Sequence, residues 1–370
     1  DESRLYAATL VVDPGHDFAL PFTYPPLAAV LFVLLAALPS VAATALFTGA
    51  GIAALVSTCL LAARRVRGPG RLALVSGLGA AAVAILLDPV RLTLLIGQIN
   101  LVLMGLVAMD CLLARTRWPR GALIGLAAAI KLTPLVFVLF FLARRQWRPA
   151  ATALGTFLGL GLLGAALAPR SSVEYWLSTV WQHDRAGSPA FHWNQSLRGA
   201  LARLGSTGTH GSVLWLVLCL GILVLAWLAV ARVRRAGHDL AALLLVAAAG
   251  LLVSPISWVY HWVWIAPALP LLAGLLRGHR SPTVVAGAGL AVAAFLTGPS
   301  MVIALSGADR DGAGWTWWQH IGGNTYVLIG VAVLLVAALP RHGTRPQPPG
   351  IPVTAEAGPA VGRGSGSLRR

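Results

Sequence analysis

Apolar runs separated by short polar breaks make up most of this chain. Runs at about 41–63, 72–87, 99–114, 149–168, 213–231, 239–253, 259–276, 282–305 and 324–339 show no alternation of polar and apolar residues. Each therefore predicts a helix rather than a strand of a membrane barrel. Crossing a hydrocarbon core takes about 20 residues, and most of these runs approach that length. Two segments depart from the pattern. The run 27–38 is too short to cross and follows Pro25-Pro26, which suits the first turn of a helix. It predicts a juxtamembrane or re-entrant helix. The segment 121–143 lies between two arginine clusters, so it enters and leaves on one side. Lys131-Leu132-Thr133-Pro134 at its middle predicts two half-helices meeting at a polar break.

Composition places the chain among membrane proteins: 57% of residues are hydrophobic, 11% are charged, and mean hydropathy is +0.78. The expected fold class is an all-α polytopic membrane protein. The net charge of +16 invites a polyanion partner, but its distribution points elsewhere. Arginines cluster at 64–71, 115–120, 144–148, 232–235 and 277–280, between apolar runs. With five more after Pro340, these loops hold 20 of the 28 basic residues. That is the positive-inside pattern, which orients the chain with those loops in the cytoplasm and excludes a nucleic-acid partner as its explanation.

The other face collects 1–26, 88–98, 169–212, 254–258 and 306–323, including the large loop with Trp176, Trp181, His183, His192 and Trp193. Cys59, Cys111 and Cys219 lie inside apolar runs, without metal-ligand or disulfide spacing. Residues 1–340 form one membrane domain; 341–370, rich in Pro, Gly and Arg, read as a disordered cytoplasmic tail. Asp1 stands in place of a start Met and no signal peptide precedes it, so an amino-terminally truncated chain is expected.

The polar breaks carry the candidate chemistry. Lys131 is the only lysine among 27 arginines. At an apolar helix break its ammonium either meets an anionic ligand or snorkels to the interface. Gln98 and Asn100, after Gly97, either cap a helix or contact a hydroxylated ligand. Asn194-Gln195-Ser196, beside Trp193, suits a sugar and is also a formal glycosylation sequon. Ser254-Pro255-Ile256-Ser257-Trp258 leads to His261, either a functional imidazole or one more interfacial aromatic. Tyr24 precedes Pro25-Pro26 on the same face. The expectation is that Tyr24, Gln98, Asn100, Lys131, Asn194 and His261 line one outward-facing cavity. No His/Asp/Glu cluster has metal spacing, so no metal or other cofactor is expected; Asp309 and Asp311 are the weak exception.

Taken in order, Phe22-Thr23-Tyr24-Pro25-Pro26, Gly97-Gln98-Ile99-Asn100, Ile130-Lys131-Leu132-Thr133-Pro134, Asn194-Gln195-Ser196-Leu197 and Ser254-Pro255-Ile256-Ser257-Trp258 followed by His261 resemble glycosyltransferase family 87 over about residues 5–340. These are polyprenol-phosphate-mannose-dependent α-1,2-mannosyltransferases of actinobacterial envelopes. The resemblance implies a C-type glycosyltransferase-like helical bundle with an outer juxtamembrane helix and outer loops. It implies a polyprenyl phosphate sugar donor, a glycolipid or glycan acceptor, and work at the outer face of the plasma membrane. Tyr24, Gln98, Asn100, Asn194, Gln195, Ser257 and Trp258 would bind substrate, and His261 and Lys131 would assist catalysis. The family's acid sits upstream of an element matched by Leu5-Tyr6 and so before Asp1; Asp13 and Asp17 are the nearest substitutes. The competing readings are a transporter or flippase of lipid-linked sugars, which needs polar pathways on both faces, and a structural subunit whose outer loop binds a partner.

Overall fold

The computed structural model describes residues 5–7, 9–13, 18–182, 185, 187–278 and 281–339. The predicted tail, Asp17 and His183 lie outside the described residues. In chain order come a β-hairpin, β1 (Thr9–Asp13) and β2 (Phe18–Pro21), then α1 (Pro26–Ala36), α2 (Ser40–Arg67), α3 (Arg71–Leu86), α4 (Asp88–Leu95), α5 (Asn100–Leu112) and α6 (Ala122–Ile130). A 3₁₀ turn, Thr133–Phe137, leads into α7 (Val138–Leu142), α8 (Trp147–Leu167), α9 (Pro169–Leu177), a turn at Thr179–Trp181, and α10 (Leu197–Arg203). The chain continues with α11 (Gly208–Arg235), α12 (Asp239–Val253), a 3₁₀ segment Val259–Trp264, α13 (Ile265–Gly278), α14 (Pro282–Ser306), α15 (Trp317–Gly323) and α16 (Thr325–Ala338). The hairpin, paired antiparallel with Thr9 opposite Pro21, is the one departure from an all-helical reading among the described residues.

Five helical stretches are long and apolar enough to cross a bilayer unaided: α2, α8, α11, Val259–Gly278 and α14. Two more spans form if α3 with α4, bent by 70°, and α15 with α16, bent by 73°, each count as one. The chain is a multi-pass membrane protein. Its outward helix faces carry exposed Val41, Leu158, Leu162, Leu216 and Leu220. In water such faces would be aggregation-prone, whereas lipid tails cover them at no cost.

The predicted spans 99–114 and 239–253 come out short, as the 13-residue α5 and the 15-residue α12. At 1.5 Å per residue, thirteen residues reach about 20 Å against a core of about 30 Å. The polar ends Asn100 and Ser254 therefore sit sunk within the bundle. The segment 121–143 behaves as its flanking arginines require. Asp110, near the end of α5, accepts from the Ile124 backbone N–H at 3.0 Å, and Arg144 pairs with Asp239 at the start of α12. Arg65 at the end of α2 donates to the Leu112 carbonyl at 2.8 Å. Both ends of the segment thus share one charged seam, with Lys131 at the opposite apex. Gly121 and Gly125 let α6 lie directly on α8; a Cβ at either would run into backbone, the Pro149 carbonyl in the first case.

Candidate active site

Four local breaks deliver the polar side chains to one place. Gly97 takes a left-handed turn (φ 66°) between α4 and α5, which puts Gln98 before the helix and Asn100 at its first position. The extended backbone of Lys131 (φ −146°, ψ 128°) ends α6, and Pro134 starts the following 3₁₀ turn. Extended Trp258 similarly stops the chain before the 3₁₀ segment that carries His261. Tyr24 precedes Pro25, where proline disfavours helix.

Lys131 Nζ lies 3.0 Å from Asn100 Oδ1 and 2.9 Å from His261 Nε2, and 5.3 Å from the centre of the Tyr24 ring. Tyr24 donates its hydroxyl to Gln98 Oε1 at 2.8 Å. Asn100 Nδ2 donates to the Tyr260 carbonyl at 3.0 Å, which ties α5 to the 3₁₀ segment beside His261. An ammonium has three N–H donors and no acceptor. With Lys131 donating, His261 must accept at Nε2 and hold its proton on Nδ1; this tautomer is assigned from the hydrogen bond. Two of the three ammonium donors are taken, and the third is available to a ligand. Gln98 keeps its amide N–H₂ without a bonded partner among the described residues. Among those residues, no carboxylate bonds to Lys131 or His261.

Asn100, Thr133, Ser254, Ser257 and His261 supply the polar lining of a cavity of ≈ 550 Å³. Its remaining walls are apolar: Leu103 and Val107 from α5, Val136 and Phe137 after the break, Leu251 from α12, and Trp264. Trp176, Val180 and Trp181 roof it. The volume suits a ligand's apolar portion with a few fixed polar groups.

Of the six residues expected to line one cavity only Asn100 and His261 do so; Lys131 adjoins it through its bonds to both, Tyr24 and Gln98 are not part of its lining, and Asn194, with its neighbour Gln195, is placed elsewhere. Asn194 is fully buried; its Nδ2 donates to the Pro189 and Pro255 carbonyls at 3.0 and 3.2 Å, and its Oδ1 accepts from the Ser257 N–H at 2.9 Å. Gln195 Nε2 donates to the His192 and Gly323 carbonyls at 2.8 and 2.7 Å, while its Oε1 accepts from the Tyr326 N–H at 3.2 Å. Ser196 donates to the Pro255 carbonyl at 3.1 Å and caps α10. Both N–H donors of each amide are used and all three side chains are fully buried, so none is open to a sugar, and Asn194 presents no acceptor nitrogen for glycosylation. They brace the segment leading to His261. Trp258 is buried as well, its ring 6.2 Å from Phe191.

Residue-by-residue reading gave no role to Tyr6 or Thr93. Tyr6, 1% exposed, donates to the Tyr24 carbonyl at 2.9 Å and packs its ring against Phe22 and Tyr175. Thr93 Oγ1 lies 2.7 Å from the Pro89 carbonyl in its own helix and 3.2 Å from the Tyr260 carbonyl, beside Asn100. Thr93 has no pattern signal and Tyr6 has only its place in the Leu5-Tyr6 element, because their contacts to Tyr24 and Tyr260 are to backbone carbonyls distant in sequence. Asp13 ends β1. His192, in the loop 169–212, is pushed down to about 4 mainly by burial, although its contact with the Arg310 carbonyl opposes this. Asp309 accepts from the Asp311 N–H at 2.7 Å within its own turn. Among the described residues, no three His, Cys, Asp or Glu side chains converge as metal ligands.

Comparison with known proteins supplies the lineage. No solved structure matches the chain. A polyprenol-phosphate-mannose-dependent α-(1-2)-phosphatidylinositol mannoside mannosyltransferase of Mycobacterium tuberculosis is 39% identical over 350 residues, covering 92% of this chain and 81% of the relative. Its Mycolicibacterium smegmatis counterpart is 38% identical, covering 92% and 80%. A phosphatidylinositol pentamannoside mannosyltransferase of M. smegmatis, with the same donor in its name, is 33% identical over 90% of this chain and 80% of its own length. The sequence model of glycosyltransferase family 87 matches residues 22–255, which include Tyr24, Gln98, Asn100 and Lys131 and stop short of His261. The chain belongs to glycosyltransferase family 87 and is a membrane-embedded glycosyltransferase.

Proposed function

We propose that this enzyme transfers a mannosyl residue from a polyprenyl phosphate mannose donor to a phosphatidylinositol mannoside, at the outer face of the plasma membrane. The observation that carries the reading is the Lys131–Asn100–His261 cluster, two of whose members, Asn100 and His261, line a largely apolar cavity. A polyprenyl phosphate has matching parts: an anionic head for the ammonium and a lipid tail for the apolar walls. The names of the relatives supply the same donor and the acceptor class.

In the transfer, an acceptor hydroxyl oxygen bonds to the anomeric carbon while the bond from that carbon to the phosphate oxygen breaks. The electron pair leaves with the polyprenyl phosphate, and the hydroxyl proton passes to a base. Lys131 donates its third N–H where negative charge grows on the departing phosphate. Asn100 and His261 hold the ammonium in place. The family resemblance assigns the base to an acid upstream of Leu5-Tyr6, and Tyr6 bonds directly behind Tyr24, next to Lys131.

Membranes carrying the protein, given radiolabelled polyprenyl phosphate mannose and a phosphatidylinositol mannoside, should incorporate label into a larger glycolipid. Donor crossing the bilayer without incorporation would replace the transferase with the flippase reading. Cysteines introduced near Arg145 and at Ser188 test the orientation; an impermeant thiol reagent should label only Ser188→Cys from outside. Equal labelling of both would remove the outer-face assignment.

A further inference from the structure

The roof of the cavity has two faces, and only one has a partner within the protein. On the inner face of α9, Tyr175 packs edge-on to Trp176 at 4.9 Å and against Tyr6 at 5.6 Å, while Trp176 meets Phe157 of α8 at 6.2 Å. Trp176 and Val180 close over the cavity. The outer face shows Val173, Leu177 and Trp181 at 60%, 76% and 69% exposure. Trp181 belongs to both faces: it lines the cavity yet stands largely open, so it marks the cavity's mouth.

Leaving apolar side chains of this size open to water is costly, so a ridge of three is expected to find cover. Continuity identifies that cover. α8 is a candidate membrane span with exposed Leu158, Leu162 and Leu167, and it joins α9 through Ala168 alone. The ridge begins where the lipid-facing surface of α8 ends. Exposed Arg170 and Glu174 flank it, giving the mixed character of a helix lying in a headgroup region, and an indole favours that depth.

We propose that the α9 ridge rests in the bilayer interface, so that a lipid tail enters the cavity sideways beneath Trp181 instead of descending from water. The entry route rests on the lipid-linked donor proposed above; the seating of the ridge does not.

Two measurements test this on the full chain in lipid nanodiscs. A fluorophore on Val173→Cys or Leu177→Cys should be quenched by lipids carrying a nitroxide high on the acyl chain, while one on Ser188→Cys is quenched by aqueous iodide. Iodide quenching at 173 and 177 equal to that at 188 overturns the seat. The variant V173E/L177E changes two residues that do not line the cavity. Transfer from a long-tailed polyprenyl phosphate mannose in the bilayer should fall roughly tenfold or more. Transfer from a short-tailed, detergent-soluble analogue should stay at the wild-type rate. Equal loss on both donors, or loss on neither, overturns lateral entry. If the wild-type protein uses neither donor, the proposed donor fails, and the quenching experiment still decides the seat.

Discussion

Lys131 with Asn100 and His261, and Asn194 with Gln195 and Ser196, are two polar islands in apolar sequence, and their sequence signals are alike. Their hydrogen bonding separates them. At the first island the ammonium keeps one donor and Gln98 keeps an amide N–H₂, next to Asn100 and His261, which line the cavity. At the second, both amides are saturated by backbone groups and fully buried. A site needs unsatisfied capacity facing space, whereas a brace needs every group paired. The second island serves the first, because Asn194 and Gln195 bond to both sides of Ser257 and so fix the approach to His261.

Substitution should therefore move different observables at the two islands. Lys131→Ala should lower turnover roughly 10²–10³-fold, the usual cost of losing a charge-stabilising donor, with little change in thermal unfolding in micelles. Lys131→Arg restores charge with a planar fork in place of a compact ammonium, so it should recover only part of the rate. His261→Ala, which frees the ammonium from its acceptor, should also lower turnover without unfolding the protein. Unchanged turnover in both Ala variants would return Lys131 and His261 to structural roles. Asn194→Ala should do the converse. It leaves the Ser257 N–H and the Pro189 carbonyl unpaired, at about 1–3 kcal/mol for each buried group, while the Pro255 carbonyl keeps the Ser196 hydroxyl. Folded yield and melting temperature should drop, while KM for the donor in the surviving folded fraction changes little. A large shift in KM at full stability would make Asn194 a substrate contact.

How far sequence could see follows the same division. Arginine clusters report topology one loop at a time, which leads to the expectation of a re-entrant 121–143; the acidic partners Asp110 and Asp239 that join its ends in one seam were not legible. Lys131 stood out because it is the lone lysine. The saturation of Asn194 was not legible: its partners, Pro189, Pro255 and Ser257, are backbone groups, and backbone exists at every residue. The shortness of α5 was hidden for a related reason. The run 99–114 is apolar apart from Asn100 and Asp110, and only tertiary packing buries its Asn100 end. The hairpin before α1 has strands of only five and four residues, too short to announce themselves in a region otherwise read as polar.

Tyr6 offers a graded test of positioning. Tyr6→Phe keeps the ring among Phe22 and Tyr175 but removes the bond to the Tyr24 carbonyl, typically worth about 0.5–1.5 kcal/mol. If that bond aligns Tyr24 under Lys131, turnover should fall several-fold while donor KM and melting temperature hold. A variant that loses stability and keeps turnover would make Tyr6 a packing residue alone.

The smallest expected effect lies in the bracing loop. His192 packs 4.6 Å from the Phe191 ring, contacts the Arg310 carbonyl at 3.3 Å, and feels the charges of Arg203 and Arg310. Burial holds it down at about 4 in the folded protein, against an ordinary value near 6.5 when unfolded. Above the ordinary value both states are neutral, and the loop has its full stability. As pH falls from there towards 4, the unfolded chain takes up a proton that the folded loop refuses, so folding weakens across that window. Below it both states are protonated and the loss stops growing. His192→Asn keeps a donor for the Arg310 carbonyl but cannot titrate. The stability difference between wild type and this variant should therefore shrink between pH 6.5 and 4, while carboxylate effects common to both cancel. Parallel unfolding curves across that window would mean that the imidazole titrates freely and that the loop around Asn194 is looser than its hydrogen bonds imply.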